Sequence, residues 1–382
     1  VTKKNNKIPR FLIAPDKFKG SLPAGEVANA IMLGLRKIWP GSFCRVMPLA
    51  DGGEGTVEIL TSALGGEIRE CDSTDALGRP IKARWGWVPS RALAVVECGD
   101  ATGLWRIETG ERDVWHSHSG GTGRCLLEAA KLGAQEVYLG LGGSATNDSG
   151  AGLAHALGWI FLDEGGRAVD PFPANFSKIR RAQPPEKPLP FRVTALADVQ
   201  NPLMGQHGAT AVFAPQKGLA EKDHAKMEQH FRHFLAILEE HGFSGHADTP
   251  GAGAAGGMGF GVLAFCRGGI RSGFDVIAEV LDLERAVQDV DVVITGEGKV
   301  DSQTLQGKGP AGVAGIARAN QKPVVIFAGQ VDEEESLNLL FDAVIPLPPG
   351  PLTVQESMKN AGMLLEKAAA RFARTLNLGT NL

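Results

Sequence analysis

Near the far end of the chain stands Asp291-Val292-Val293-Ile294-Thr295-Gly296-Glu297-Gly298, and near its start Arg10-Phe11-Leu12-Ile13-Ala14-Pro15-Asp16-Lys17. Each is a short apolar run that breaks into a polar or glycine-rich bend. Runs this short, bounded by turn residues, suit buried strands better than helices. A helical pattern follows the first: Val27, Ile31 and Leu35 recur on one face, with Ser21 placed as a cap and Pro23 suited to the first turn. A second strand over 44–49 ends in Ala50-Asp51-Gly52-Gly53-Glu54-Gly55, and Val57, Leu60 and Leu64 mark a second helix. This β-α-β-α opening predicts a parallel sheet. Beyond 292–294 the same style returns: a helix near 310–319, strands over 323–328 and 343–347, and a closing helix over 353–377. The two ends therefore read as one doubly wound α/β domain, 1–65 plus 286–382, into which a second mixed α/β domain, 66–285, is inserted.

The middle has a different texture. Residues 67–98 are short extended pieces separated by Asp-Ala-Leu-Gly-Arg-Pro and Pro-Ser turns, which predicts antiparallel pairing. Helix and strand alternate through 120–163. A proline-dense stretch (Pro171, Pro173, Pro184, Pro185, Pro188, Pro190) is too rich in breakers for regular structure. A strand over 191–197, a charged amphipathic helix over 221–241 and a small-residue helix over 254–267 complete it.

Composition narrows the function classes. Hydrophobic residues make up 43% and charged residues 21% of the 382, which fits a chain that buries full cores. The 50 glycines have no three-residue period and gather in short loops, where backbone must bend tightly. A net charge of −4, no basic run and a single Tyr disfavour nucleic-acid binding. No apolar run reaches the ~18–20 residues of a membrane span. The start, 1–10, is basic and polar, and the apolar stretch after it is too short for a secretory signal. Five cysteines without a C-x-x-C pair argue against zinc or redox motifs and for reduced thiols in a cytoplasmic protein. Four of them, Cys44, Cys71, Cys98 and Cys125, are evenly spaced, but their flanks do not match and the spacing reads as accidental.

The chemistry-bearing residues sit at strand ends, where open α/β sheets bind ligands. Three bends combine carboxylates with lysines: Asp16-Lys17-Phe18-Lys19-Gly20, Asp51-Gly52-Gly53-Glu54-Gly55 and Gly296-Glu297-Gly298-Lys299-Val300-Asp301. One such bend is ordinary turn chemistry; three on one edge of a parallel sheet fit an anionic substrate with a metal. Gly140-Leu141-Gly142-Gly143-Ser144-Ala145-Thr146-Asn147-Asp148-Ser149-Gly150 joins a strand to a helix. Its backbone N–H groups suit a phosphate or carboxylate, and a plain capped helix with a tight turn fits as well. Gly251-Ala252-Gly253-Ala254-Ala255-Gly256 matches G-x-G-x-x-G, but no convincing strand precedes it, so it reads as a closely packed helix start or a ligand-facing helix N-terminus. Asp198 closes an apolar strand and can orient a hydroxyl or bind Mg²⁺; Lys217, in Pro215-Gln216-Lys217-Gly218, can neutralise phosphate. No P-loop, H-R-D loop, H-E-x-x-H or G-x-S-x-G occurs, and His116 and His118 lack a further ligand pattern.

In this order the segments resemble the glycerate kinase family of bacterial type. The likeness is carried by Ala14-Pro15-Asp16-Lys17-Phe18-Lys19, Ala50-Asp51-Gly52-Gly53-Glu54-Gly55-Thr56, residues 140–148, Asp198-Val199-Gln200-Asn201-Pro202-Leu203, Pro215-Gln216-Lys217-Gly218, residues 250–257, and Thr295-Gly296-Glu297-Gly298 through Asp301-Ser302-Gln303-Thr304-Leu305. The family often has Ser at the place of Lys17, Glu at Gly20, Gly at Ser149 and Cys at Ala197. The resemblance implies that ATP and D-glycerate give a phosphoglycerate, with 2-phosphoglycerate expected, and ADP. It also implies a flavodoxin-like domain built from both chain ends and an active-site cleft between two domains.

On that reading Asp198 orients or deprotonates the attacking hydroxyl, and Lys217 is catalytic beside it. Lys17, Lys19, Asp51, Glu54, Gly142, Gly143, Ser144, Asn147, Gly253 and Gly256 bind substrate or phosphate. Asp148, Glu297 and Asp301 are the candidate Mg²⁺ ligands. The partners are glycerate and ATP, with neither nucleic acid nor membrane, and self-assembly is left open. Two rivals stand: an NAD-dependent hydroxy-acid dehydrogenase, which needs a strand leading into the G-x-G-x-x-G bend, and a non-catalytic sensor of small anions.

Overall fold

The computed structural model describes residues 8–243, 246–300, 304, 309–332, 337–348 and 350–380. The chain lays down β1 (Phe11–Ile13), β2 (Cys44–Val46), β3 (Glu67–Thr74), β4 (Pro80–Val88), β5 (Leu93–Glu97), β6 (Glu136–Gly140), β7 (Ile160–Leu162), β8 (Arg181–Gln183), β9 (Arg192–Leu196), β10 (Gly269–Arg271), β11 (Val292–Val300), β12 (Val324–Val331) and β13 (Ala343–Pro346). Helices intervene, so the protein is mixed α/β. It divides into two compact units, Val1–Ala50 with Ile277–Leu382, and Asp51–Val276.

The first unit holds a five-stranded sheet in the order β13-β12-β11-β1-β2. Every neighbouring pair is parallel. Numbered within the unit from the β2 edge, the order is 2-1-3-4-5. Phe11, Ile13, Ile294 and Phe327 are buried with Val27, Ile31 and Leu35 of the helix Ala24–Arg36 and with Leu365 and Ala369 of the helix Ala361–Thr380. The i, i+4, i+8 stripe thus packs as its spacing requires. Ser21 does not cap the first helix: Pro23 holds the cap position without a side-chain bond, and the Ser21 hydroxyl donates to the Met358 carbonyl at 2.7 Å. The bend expected after Ile294 is also absent. β11 runs on through Gly296 and Glu297 to Val300, because β12 extends beside it and pairs Lys299 with Gln330 and Val300 with Val331.

The second unit holds a six-stranded mixed sheet in the order β10-β9-β6-β5-β4-β3. β3, β4 and β5 pair antiparallel, as the turn-rich 67–98 segment led one to expect, and β5, β6, β9 and β10 pair parallel. The carboxyl ends of those four strands therefore open on one edge. One core lies among Trp85, Val96, Leu126, Leu139 and Val193. A second is aromatic, with Phe161, Phe176, Phe231, Phe234 and Phe265 packed ring on ring, and the helix His224–Glu240 supplies part of it. The proline-dense stretch still forms β8, which pairs with β7. The helix Thr56–Ala63 goes with this unit, since Val57 N–H donates to Glu97 on β5 at 2.7 Å. The chain accordingly passes from one unit to the other at 50/51 and 276/277, where the sequence suggested 65/66 and 285/286. Among the described residues no helix is long and apolar enough to cross a membrane.

Candidate functional site

The loop 141–150 leaves β6 at the shared strand edge and enters the helix Ala151–Ala156. Lys217 lies beneath it. Its ammonium donates to the Ser144 hydroxyl at 3.0 Å and to the Thr146 carbonyl at 2.7 Å. The side chain is almost wholly buried, and loss of hydration pushes its pKa down to about 8, with Cys98 and the Asp148 carboxylate pulling weakly the other way. Cys98, just past β5, donates from sulfur to the Gly142 carbonyl at 3.4 Å, and burial pushes its thiol up to about 12. A cation is thus held behind a loop whose outer turn, at Gly143, faces open space.

Asp148 is fully buried. One of its oxygens accepts from Ser119 N–H at 2.7 Å, the Ser119 hydroxyl at 2.8 Å and Gly152 N–H at 3.0 Å; the other accepts from Gly150 N–H at 3.2 Å. The carboxylate clamps the loop to the helix Gly120–Lys131. Asn147 donates to the Thr210 hydroxyl at 3.3 Å, while its Oδ1 and the hydroxyls of Thr146 and Ser149 are buried and find no hydrogen-bond partner among the described residues. Buried polar groups of this kind ordinarily have a partner, so three in one loop set it apart from an ordinary capped turn.

The 51–55 bend lies directly against this loop. Gly142 N–H donates to the Gly52 carbonyl at 3.1 Å, and a Cβ at Gly142 would come within 2.3 Å of Gly53 Cα. Asp51 accepts from Gly53 N–H at 3.0 Å, and Glu54 is exposed. Asp198, two residues beyond β9, accepts from Phe274 N–H at 3.1 Å, at the start of the helix that follows β10. The second unit therefore gathers Asp51, Gly142, Ser144 and Lys217 around touching loops, with Asp198 and Glu97 on the same strand edge. The 251–257 segment serves that arrangement from behind. Ala255, Gly256 and Gly257 all adopt left-handed backbone, and a Cβ at Gly256 would stand 1.9 Å from the Thr146 carbonyl. Gly253 sits as tightly on Pro202, and its N–H donates to the Asn201 carbonyl at 2.9 Å. These glycines let two backbones touch, as a closely packed small-residue start does.

The first unit has its own polar cluster at the ends of β1 and β11. Asp16 N–H donates to the Gly296 carbonyl at 2.9 Å, the Lys17 ammonium lies 3.6 Å from Asp16, and the Thr304 hydroxyl donates to Glu297 at 3.0 Å. Lys19 is exposed. Asp301 lies outside the described residues, as do Ser302, Gln303 and Leu305. His116 is exposed and pairs with Asp113 at 2.7 Å; the His118 ring packs on Phe172.

Glu97, Cys98 and Ser119 were not singled out from sequence. Glu97 is buried with its carboxylate at the N-terminus of the helix Thr56–Ala63, where the helix dipole favours negative charge. Its signal was available: an acid ending an all-apolar strand, as Asp198 ends another. Ser119 gave none, since its importance is a contact with Asp148, 29 residues away.

Residues 11–377 match the model of the glycerate kinase family. The chain belongs to the glycerate kinase family. It thereby belongs among the phosphotransferases, and the dehydrogenase and sensor readings fall away. The chain is 38% identical over 380 residues to the glycerate kinase of Bacillus subtilis (strain 168), covering 98% of this chain and 99% of that protein. It is 37% identical over 377 residues to the glycerate 2-kinase of Escherichia coli (strain K12), covering 97% and 98%. A crystal structure from Salmonella typhimurium LT2, described as that of a candidate glycerate kinase 2, superposes with a TM-score of 0.84 at 36% identity, covering 98% of this chain and all of that one.

Proposed function

We propose that this glycerate kinase family member transfers the terminal phosphoryl group of ATP to a hydroxyl of D-glycerate, with Mg²⁺ as companion ion, giving 2-phosphoglycerate and ADP in the cytoplasm. The observation that carries the reading is the family match along residues 11–377, with relatives named glycerate kinase and glycerate 2-kinase at 37–38% identity. The 2-1-3-4-5 order of the first unit supports reading it as flavodoxin-like, with ligand at its strand ends.

Phosphoryl transfer asks a protein for positioning and charge neutralisation. The 141–150 loop is suited to both. Gly143 turns backbone toward open space, Gly142 packs on the 51–55 bend, Ser144 and Asn147 bring polar side chains, and Lys217 sets a positive charge behind them without leaving the interior. Asp198 accepts the proton of the attacking hydroxyl or holds that hydroxyl in line, with Phe274 N–H fixing one carboxylate oxygen. Asp51 and Glu54 are polar side chains of the adjoining bend in the second unit, and Lys17 and Lys19, at the end of β1 in the first unit, suit the glycerate carboxylate or the phosphates. Asp148, which sequence placed at the metal, has its oxygens engaged by four donors, and we give it the task of shaping the loop. Gly256 supports the loop from behind, and Gly253 packs on Pro202 and Asn201.

Mg²⁺ is usually held by one or two carboxylates together with substrate phosphates. Among the described residues no cluster of three His, Cys, Asp or Glu forms a ready cage, and the hard carboxylate oxygen of Glu297 fits an ion completed by the nucleotide. Glu297, with Asp301, would hold it. When bound, the ion neutralises charge on the phosphoryl oxygens.

The test is ADP release measured with D-glycerate, ATP and Mg²⁺, each omitted in turn. Release is expected only with all three present. Release that ignores D-glycerate, or no release at all, overturns the proposal.

A further inference from the structure

Cys71 on β3 and Cys125 in the helix Gly120–Lys131 are 54 residues apart in the chain, yet their sulfurs lie 3.6 Å apart. The contact comes from the packing of β3 on that helix. Around them the core is apolar, with Ala83, Leu126 and Ala129 among its members. The Gly121 carbonyl accepts from the Ser73 hydroxyl at 2.7 Å and from Cys125 sulfur at 3.6 Å. Phosphoryl transfer has no use for either thiol. A disulfide has S–S near ~2.05 Å, so each sulfur need advance by only about 0.8 Å, which side-chain rotation with small backbone adjustment supplies.

We infer that Cys71 and Cys125 are an oxidisable pair, a modification site at which a small disulfide of the glutathione type joins β3 to the helix Gly120–Lys131. The two sulfurs are not equivalent. Cys71 is the more accessible, at 6% exposure against 1%, and it lies on the edge strand of the six-stranded sheet. Contact with the Cys125 sulfur holds the Cys71 thiol below its ordinary pKa, and the same contact together with burial holds Cys125 well above. Cys71 is therefore the attacking sulfur and Cys125 the resolving one. Cys71 gives up its proton, and its thiolate bonds to one sulfur of the small disulfide, breaking that S–S bond and releasing one small thiol. Cys125 then gives up its proton and bonds to Cys71 sulfur, and the second small thiol leaves. Two protein thiols are oxidised to one disulfide while one small disulfide is reduced to two thiols. The new bond would fix the helix whose N-terminal Ser119 clamps Asp148 and the 141–150 loop.

The full chain, incubated with oxidised glutathione and then denatured and alkylated, is digested without reduction and mapped by mass spectrometry. A cross-linked peptide joining Cys71 to Cys125, lost on adding dithiothreitol, is the expected result and needs no variant. Cys125→Ser is expected to stop the reaction at a glutathione adduct on Cys71. The inference is overturned if both thiols stay alkylatable in the oxidised protein. It is equally overturned if adducts form on wild-type Cys71 or Cys125 without resolving, or if the cross-link joins other cysteines.

Discussion

Lys217→Met keeps the aliphatic stem and removes a buried ammonium, so it separates charge from packing. A pKa of about 8 instead of 10.5 means that keeping Lys217 charged at pH 7 costs about 3 kcal/mol, at ~1.4 kcal/mol per unit. Methionine removes that cost. It also removes two charge-assisted hydrogen bonds, to Ser144 and Thr146, each worth about 1.5–3 kcal/mol. The two bonds together, about 3–6 kcal/mol, exceed or match the ~3 kcal/mol relieved, so unfolding free energy should fall by no more than about 3 kcal/mol. Catalysis has no such compensation. Loss of a fixed charge aimed at a developing anion costs roughly 10²–10³ in kcat. Urea unfolding and steady-state kinetics on the same preparation therefore diverge. The pH dependence adds a second signature. Activity that needs the charged lysine falls as pH rises through about 8. Stability does the reverse: between 8 and 10.5 the unfolded chain holds a proton that the folded one has released. The contribution of Lys217 is therefore constant below 8 and rises through that window. Unfolding cannot then explain the alkaline loss. Activity flat from pH 7 to 10, or a methionine variant within a few-fold of wild type, would refute the reasoning.

Further variants probe the parts around it. Asp198→Asn keeps an acceptor for Phe274 N–H but cannot take a proton, and kcat should fall by roughly 10²–10⁴ with the melting temperature little changed. Gly256→Ala would place a Cβ 1.9 Å from the Thr146 carbonyl in left-handed backbone, and should cost more than ~2 kcal/mol in chemical denaturation. Asp148→Asn removes the charge that gathers four donors, and about 2–4 kcal/mol of stability should go with it; retained activity at lower stability would agree with a shaping role.

The fold was legible where local pattern and tertiary packing agree. The stripe Val27, Ile31, Leu35 could only face a core, and the apolar runs at 11–13 and 292–294 could only be buried strands. The Gly-Glu-Gly bend was misread because its conformation is decided by β12, which offers hydrogen bonds as far as Val331 and keeps the backbone extended. Ser21 looked like a cap by position, yet its hydroxyl found the Met358 carbonyl, 337 residues away. Within the candidate site, loop composition marked 140–150 correctly as a bend between strand and helix. It could not distinguish Asp148, turned inward to Ser119, from a carboxylate turned outward. Nor could it pair Cys71 with Cys125, since both contacts arise only when a strand and a helix from separate segments pack together.

The most direct measurement is a phosphorus NMR spectrum of the mixture formed from ATP, Mg²⁺ and D-glycerate. One phosphomonoester resonance matching authentic 2-phosphoglycerate, growing together with ADP, is the expected result. A 3-phosphoglycerate resonance would contradict the proposed product, and inorganic phosphate with no phosphoglycerate would contradict the transfer itself.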